Sequence, residues 1–266
     1  MHWILQESMF GELAYAEFCR TLDRLGLPFS VHAVAPFVGT FLDEPQVSTN
    51  NVICMGAYSM RYKAKEMGWN PGVFDLEPFD FTVQLQHWGG QMLNAGSRVQ
   101  RLRNVNLGEQ RAFIRPCHDT KAFLAKVYDP AEFREWQARV EKLGDMPGEL
   151  MDRNTLVQVA PVREIYEEYR FWVIRGEIIC ASLYKRGDRG QYDRDVPQAY
   201  HEYVRDMISI WQPHEAFVID VANVPDDGDG YRGIKIIEIN TINAAGFYAA
   251  DLQKLALAFE DAFNEG

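Results

Sequence analysis

Cysteines and long apolar runs are scarce in this sequence, and their scarcity excludes several classes of protein. The 266 residues include four cysteines, none of them in CxxC spacing: Cys19, Cys54, Cys117 and Cys180. We therefore expect neither a disulfide framework nor a zinc site, and a reducing compartment such as the cytoplasm is favoured. No apolar run approaches the roughly 20 residues that cross a bilayer, and no signal peptide is evident, so no membrane partner is expected.

Basic residues are also in the minority. Lysine and arginine number 27 against 38 aspartates and glutamates, which gives a net charge of -11. Broad binding to a phosphate backbone depends on clustered basic side chains, so a nucleic-acid partner is not expected, although a local basic pocket remains open. The acidic balance suits small amino-acid or peptide substrates, or a basic acceptor protein.

Three catalytic signatures are missing. The segment GGQMLNAGSR, which begins at Gly89, lacks the Gly-Lys-Ser/Thr ending of a phosphate-binding P-loop. Ser59, Ser97 and Ser182 lack the surroundings of a nucleophile elbow, and the histidines are not at metal-ligand spacing. These absences argue against a P-loop nucleotidase, a serine hydrolase and a histidine-based metal site.

Strand and helix patterns alternate through the chain. Strand patterns occur in HWILQESMF, FSVHAV and NVICMG. One predicted helix lies between the first two strands and ends at Gly26, and a second, AYSMRYKAKEMG, follows the third strand. This alternation predicts a small α/β domain over residues 1–75, with residues 70–81 as a connector. Beyond residue 81 the patterns predict a helical and then irregular stretch at 82–110, and helices at DPAEFREWQARVEKL and at about 196–211 and 250–263. The predicted strands of this part are RAFIRP, TLVQVAPV, EYRFWVIRG, EIICASLYKRG, HEAFVIDVANV and GIKIIEIN.

Two of the late strands contain polar residues that their apolar pattern does not require. FVIDVA carries Asp220, and IKIIEIN ends in Glu238 and Asn240, which share one side of the strand. If the two strands pair, three oxygen-bearing side chains lie together, and hard oxygen ligands of this type suit Mg²⁺. The alternative is that Asp220 is a solubilising strand-end residue and that Glu238 forms an ordinary ion pair.

This ending resembles the end of the ATP-grasp domain, in which an acidic residue and an E-x-N motif hold the magnesium ions that bridge the ATP phosphates. Upstream, FIRP is similar to the strand that carries a phosphate-binding cation, LVQVAPV to the adenine-contacting linker, and EYRFWVIRGEIICASLYK to the next two strands. Lys185 stands where many members have arginine, which is similar to the bacterial and phage clade defined by that arginine-to-lysine replacement. The usual glycine-rich lid is not evident, since CHDTKAFLAKVYD stands in its place.

The resemblance implies an ATP-grasp domain over residues 76–266, with two α+β subdomains gripping ATP, behind the small α/β domain of residues 1–75. It also implies roles for particular residues. Glu238, Asn240 and Asp220 would be the metal ligands. Lys185 would be catalytic, and Arg170 would be either a catalytic residue that reaches substrate or a structural one. The nucleotide-binding residues would be Arg115 and the weaker candidate Lys121 at the phosphates, Gln158, Val159 and Ala160 at the adenine, and Glu168 and Lys185 beside them. Asn243 and Gly246 would meet substrate, although Asn243 is equally suited to forming a turn.

The activity implied by the resemblance is ligation of a carboxylate to an amine, with ATP and Mg²⁺ as cofactors and an acylphosphate as intermediate. Small-molecule or peptide acids and amines would be the substrates, and the sequence leaves a homodimer open. Two other functions also stay open: a nucleotide-binding module without turnover, which the missing lid favours, and an ATP-dependent kinase of a small molecule.

Overall fold

The structure is a computed structural model that describes residues 1–7, 13–35, 38–75, 81–117, 123–143, 151–225 and 232–264. The chain divides into two units. Unit 1 comprises residues 1–76, 166–223 and 238–266, and unit 2 comprises residues 77–165 and 224–237. The predicted boundary near residue 75 coincides with a break between the units, whereas the predicted domain 76–266 is divided between both. The two-domain assignment therefore stays a prediction.

Helices and strands of the described ranges follow the predicted alternation with several additions. The helices are α1 Leu13–Arg24, α2 Arg61–Met67, α3 Phe81–Trp88, α4 Pro130–Leu143, α5 Gln198–Ile210 and α6 Leu252–Phe263. The strands are β1 His2–Gln6, β2 Phe29–His32, β3 Asn51–Met55, β4 Asn70–Gly72, β5 Arg98–Arg101, β6 Ala112–Pro116, β7 Lys126–Tyr128, β8 Leu156–Pro161, β9 Glu167–Ile174, β10 Glu177–Arg186, β11 Arg189–Asp193, β12 Ala216–Val224 and β13 Gly233–Asn240.

Four of these strands are missing from the sequence prediction, which gives residues 70–81 as a connector and the later part of 82–110 as irregular. β4, β5, β7 and β11 have three to five residues each, and they are too short or too polar to show an alternating apolar pattern. The connector prediction is wrong at β4, which pairs with β3. Pro71 is tolerated there because β4 lies at the edge of its sheet. None of the helices in the described ranges has the length and apolar character that crossing a bilayer requires.

Unit 1 contains two sheets. The first is parallel, in the order β2-β1-β3-β4, and the second is five-stranded, in the order β11-β10-β9-β12-β13. Of β13, only residues 238–240 are assigned to unit 1. β9 and β10 form the predicted hairpin, and Arg175 at its turn has a positive φ of 48°. A buried core joins Trp3 of β1 and Phe18 of α1 to Trp172 of β9 and Phe259 of α6.

Unit 2 contains an antiparallel sheet in the order β5-β8-β6-β7. One face of this sheet buries Ile114 and Val157 against Phe133 and Val140 of α4. Because successive side chains of a strand point to opposite faces, Arg115 and Gln158 lie on the other face. They are also directly paired across β6 and β8.

Asn243 links three backbone segments in the interior of unit 1. Its side chain is 1% exposed; Oδ1 accepts from the Phe74 amide at 2.9 Å, and Nδ2 donates to the Cys54 carbonyl at 2.7 Å and to the Gly72 carbonyl at 3.3 Å. The side chain therefore connects the ends of β3 and β4 to the segment that follows β13. These bonds give the amide a structural role that joins separate segments, and the substrate contact of Asn243 stays a prediction.

Replacing Asn243 with alanine tests this structural role. We expect Asn243→Ala to lower the free energy of unfolding by about 2–4 kcal/mol, because buried backbone groups that lose a partner cost about 1–3 kcal/mol each. Thermal melting measures the change. The control Asn223→Ala alters an exposed asparagine of β12 and should melt with the wild type. Equal melting of the two variants would contradict the structural role.

Candidate active site

The second sheet of unit 1 changes character along one face of β9. Trp172 and Ile174 are buried in the core of unit 1, whereas Glu168 and Arg170, which lie on the same face by alternation, are polar. The strand therefore leaves the apolar core at Arg170 and carries charged groups beyond it. We use the name charged face for this polar end of β9 and its polar neighbours on β10, β12 and β13, namely Glu168, Arg170, Lys185, Asp220, Glu238 and Asn240.

Arg170 and Asp220 form a buried ion pair at the inner edge of the charged face. The two residues are cross-strand neighbours on β9 and β12, and Nε and Nη2 of Arg170 each donate to one Asp220 oxygen at 2.8 Å. The side chains are 9% and 1% exposed. Burial raises the pKa of Asp220, Arg170 opposes that rise, and the carboxylates of Glu238 and Glu168 add to it. Asp220 is therefore close to other acids, but both its oxygens already accept hydrogen bonds.

Glu168 binds two neighbouring residues of β10. Tyr184 donates its hydroxyl to Oε2 at 2.7 Å, and Lys185 donates from Nζ to Oε1 at 2.5 Å. Adjacent residues of a regular strand point to opposite faces, but the pairing register of β10 shifts between Leu183 and Lys185. This bulge turns Tyr184 and Lys185 toward the same carboxylate. The alternation of the sequence could not have shown it.

Glu238 and Asn240 lie at the end of β13, beside β12 in the sheet. The Asn240 Nδ2 donates to Glu238 Oε1 at 3.2 Å, which places both side chains on one side of the strand, as the sequence pattern predicts. Among the described residues, no group of three or more acidic, histidine or cysteine side chains is arranged to hold a metal ion by itself. The protein oxygens that suit Mg²⁺ here come from Glu238 and Asn240, with Asp220 held by Arg170.

Three tyrosines next to the charged face escaped the sequence analysis. The rings of Tyr184 and Tyr248 are stacked at a centroid distance of 5.0 Å, and Tyr192 lies 5.2 Å from Tyr248. The Arg170 guanidinium carbon is 5.1 Å from the Tyr248 ring and 5.6 Å from the Tyr184 ring. These residues come from β10, β11 and the segment after β13, so no sequence spacing relates them.

The remaining predicted residues have different surroundings. In unit 2, Gln158 is fully buried, its Nε2 donates to Ser97 Oγ at 3.0 Å, and no donor within the described ranges reaches its Oε1. Ala160 follows on the same face of β8 as Gln158, whereas Val159 packs toward the core beneath α4. Lys121 lies outside the described residues. Gly246 is half-buried in unit 1, and its substrate role, like the nucleotide roles of Arg115 and Ala160, stays a prediction.

Removing one partner of the buried pair should destabilise unit 1 strongly. We expect Asp220→Ala to lower the free energy of unfolding by about 3–5 kcal/mol, because the Arg170 guanidinium would stay buried without a counter-charge. The double variant Arg170→Met/Asp220→Leu removes both charges and should regain most of that loss. Urea unfolding followed by tryptophan fluorescence measures both changes.

An exposed ion pair provides the control for this measurement. Glu17 on α1 binds Arg20 and Arg24 at the surface, where ion pairs contribute little. Glu17→Gln should leave the urea midpoint unchanged. If Asp220→Ala unfolds at the same urea concentration as Glu17→Gln, Asp220 and Arg170 do not form a buried pair in solution.

Solved structures with a similar fold include one named as a synthetase and two named as ligases. The fold is similar to that of D-cycloserine synthetase DcsG, with a TM-score of 0.60, 10% identity and coverage of 98% of this chain and 99% of that chain. It is similar to D-alanine–D-alanine ligase from Bacillus anthracis complexed with ATP, with a TM-score of 0.63, 12% identity and coverage of 99% and 96%. It is also similar to the ATP-grasp ligase PsnB complexed with precursor peptide PsnA2 and AMPPNP, with a TM-score of 0.56, 12% identity and coverage of 98% and 97%.

At identities this low, the structural similarity establishes the fold but not the substrates. It confirms the predicted ATP-grasp fold. A comparison with curated proteins finds no significant match. The sequence itself matches the ATP-grasp domain of family 2 of the arginine-to-lysine clade over residues 96–257, which is more than half of the chain. The protein therefore belongs to family 2 of the arginine-to-lysine clade of ATP-grasp domains.

Proposed function

We propose that this protein is an ATP-dependent ligase that joins a carboxylate to an amine through an acylphosphate. The observation that carries the proposal is the charged face of unit 1, where Glu238 and Asn240 lie in the same sheet as the Lys185–Glu168 pair. Similar folds named as D-cycloserine synthetase, D-alanine–D-alanine ligase and a ligase with a precursor peptide support small-molecule or peptide substrates. The cysteine usage favours a cytoplasmic setting.

The donors on β13 fit a magnesium ion that arrives with a nucleotide. Mg²⁺ is commonly held by one or two carboxylates together with substrate phosphates and water, and Glu238 with the Asn240 amide oxygen provides such a set. When bound, the ion neutralises phosphate charge. Asp220 can join the set only if Arg170 releases it, because both its oxygens now accept from the guanidinium.

Lys185 is the group that we propose to meet the transferred phosphoryl. Glu168 and the bulge of β10 fix the position of its ammonium, and the Lys185 side chain is 43% exposed and therefore accessible to a ligand. A fixed cation stabilises the negative charge that develops on the phosphoryl oxygens. Lysine provides a point charge in place of the planar fork of arginine.

Unit 2 offers groups that suit the nucleotide base. The buried Gln158 Oε1 accepts no hydrogen bond from the described residues, and a buried acceptor without a partner is costly. The exocyclic amine of adenine is a donor that could satisfy it. Arg115, paired with Gln158 on the same sheet face, is the proposed phosphate contact of this unit.

Release of ADP in the presence of a panel of carboxylates and amines tests the proposed reaction. A ligase should sustain ADP release only when both are present, because the carboxylate alone allows one acylphosphate per enzyme, and it should form an amide and phosphate. No ADP release with any combination would leave a binding module, and a stable phosphorylated product would indicate a kinase. Either of these two results would contradict ligation.

Lys185→Ala should lower kcat by roughly 10²–10³, with a smaller change in KM for ATP, because the contact strengthens in the transition state. Steady-state ADP release measures both constants. The control Glu202→Gln alters an exposed residue of α5 and should match the wild type. A Lys185→Ala enzyme with wild-type kcat would exclude the phosphoryl contact.

Gln158 should make the protein prefer ATP over ITP. ITP carries an oxygen in place of the exocyclic amine, so we expect ATP to bind roughly 10-fold more tightly, and Gln158→Leu should abolish the difference. Calorimetric titration measures both affinities. Gln110→Leu, at an exposed bend of unit 2, should keep the preference. Equal binding of ATP and ITP by the wild type would show that Gln158 does not contact the base.

A further inference from the structure

The three tyrosines beside the charged face have no role in the proposed phosphoryl transfer. Tyr184 and Tyr248 are nearly parallel, at 14°, and Tyr192 is tilted by 39° against Tyr248. Tyr192 is 59% exposed, whereas the other two rings are partly buried. The stack therefore has an inner end that contacts Arg170 and an outer end that is open to solvent. We call these three residues the tyrosine stack.

The backbone of Tyr248 is held in an uncommon conformation that brings its ring onto the stack. Its φ is +48°, a left-handed value that residues with a bulky side chain rarely adopt. Tyr248 lies in a turn closed by the Ala250 amide on the Phe247 carbonyl at 2.8 Å, and the Ala249 amide donates to Ser182 Oγ of β10 at 3.2 Å. Strained positions of this kind are concentrated at ligand-binding and catalytic sites.

The surroundings of the stack favour a positively charged ligand. Its inner rings already lie against the guanidinium of Arg170, which shows that their faces accept a planar cation. The Tyr184 hydroxyl donates to Glu168. Burial raises the pKa of Tyr184, and the carboxylates of Asp220 and Glu168 raise it further, so the phenol stays neutral beside negative groups. The negative face of an aromatic ring attracts cations through its quadrupole.

We propose that the tyrosine stack is the subsite for the amine acceptor and that it selects an acceptor with a second positive charge on a guanidinium or ammonium group. Tyr192 contacts that cation with its exposed ring, and Tyr248 and Tyr184 hold Tyr192 in position. The assignment of this subsite to the acceptor rests on the proposed ligase function. The preference for a cation rests on the rings and on their contact with the Arg170 guanidinium alone.

Binding of argininamide in the absence of nucleotide tests the preference. Citrullinamide has nearly the same shape but lacks the guanidinium charge, so calorimetric titration should show tighter binding of argininamide to the wild type. Tyr192→Leu should raise the Kd of argininamide about two- to fivefold, while Tyr192→Phe, which keeps the aromatic face, should bind like the wild type. Tyr62→Leu, at a tyrosine of α2 that is 55% exposed, is the matched control.

Three results would overturn the proposal: no binding of argininamide, equal binding of citrullinamide, or an unchanged Kd in Tyr192→Leu. Because Tyr192 is exposed, its variants should melt with the wild type, which separates loss of the subsite from loss of the fold. The titration contains no ATP. Failure of ADP release with every pair of substrates would therefore count against ligation while the cation preference is still decided by the titration.

Discussion

The buried ion pair between Arg170 and Asp220 is the constraint on which the charged face depends. Two charges removed from water must satisfy each other fully, and the bidentate geometry at 2.8 Å does so between neighbouring strands. The pair lies where β9 passes from the core around Trp172 to the polar end at Glu168. It fixes the register of β9 on β12 and holds a guanidinium beneath the tyrosine rings.

The second determinant is the irregularity of β10. A regular strand would direct either Tyr184 or Lys185 away from Glu168, whereas the bulge directs both toward it. The carboxylate thereby holds the ammonium at a defined position and links it, through the Tyr184 ring, to the Arg170 pair. A local irregularity in one strand converts two separate ion pairs into a connected network.

The charged face also explains why Asp220 and Glu238 occur in the otherwise apolar strands β12 and β13. Apolar side chains fill the positions that α6 and the first sheet cover, and polar ones begin where that cover ends. Asn243 belongs to the cover, since its amide binds backbone groups at the ends of β3 and β4. Its neighbour in sequence, Asn240, belongs to the face. Of these two asparagines, which are close together in sequence, one binds buried backbone groups and the other is a proposed metal ligand.

The sequence by itself determined the alternation of elements, the β9–β10 hairpin, the common side of Glu238 and Asn240, and the family, because these depend on local spacing and motifs. The short strands β4, β5, β7 and β11 escaped it, since edge and polar strands have no apolar period. Tertiary structure alone decided that Arg170 binds both oxygens of Asp220, that a bulge brings Tyr184 to Glu168, and that three tyrosine rings stack together. Each of these depends on strand register and on contacts between residues distant in sequence, which no local pattern records.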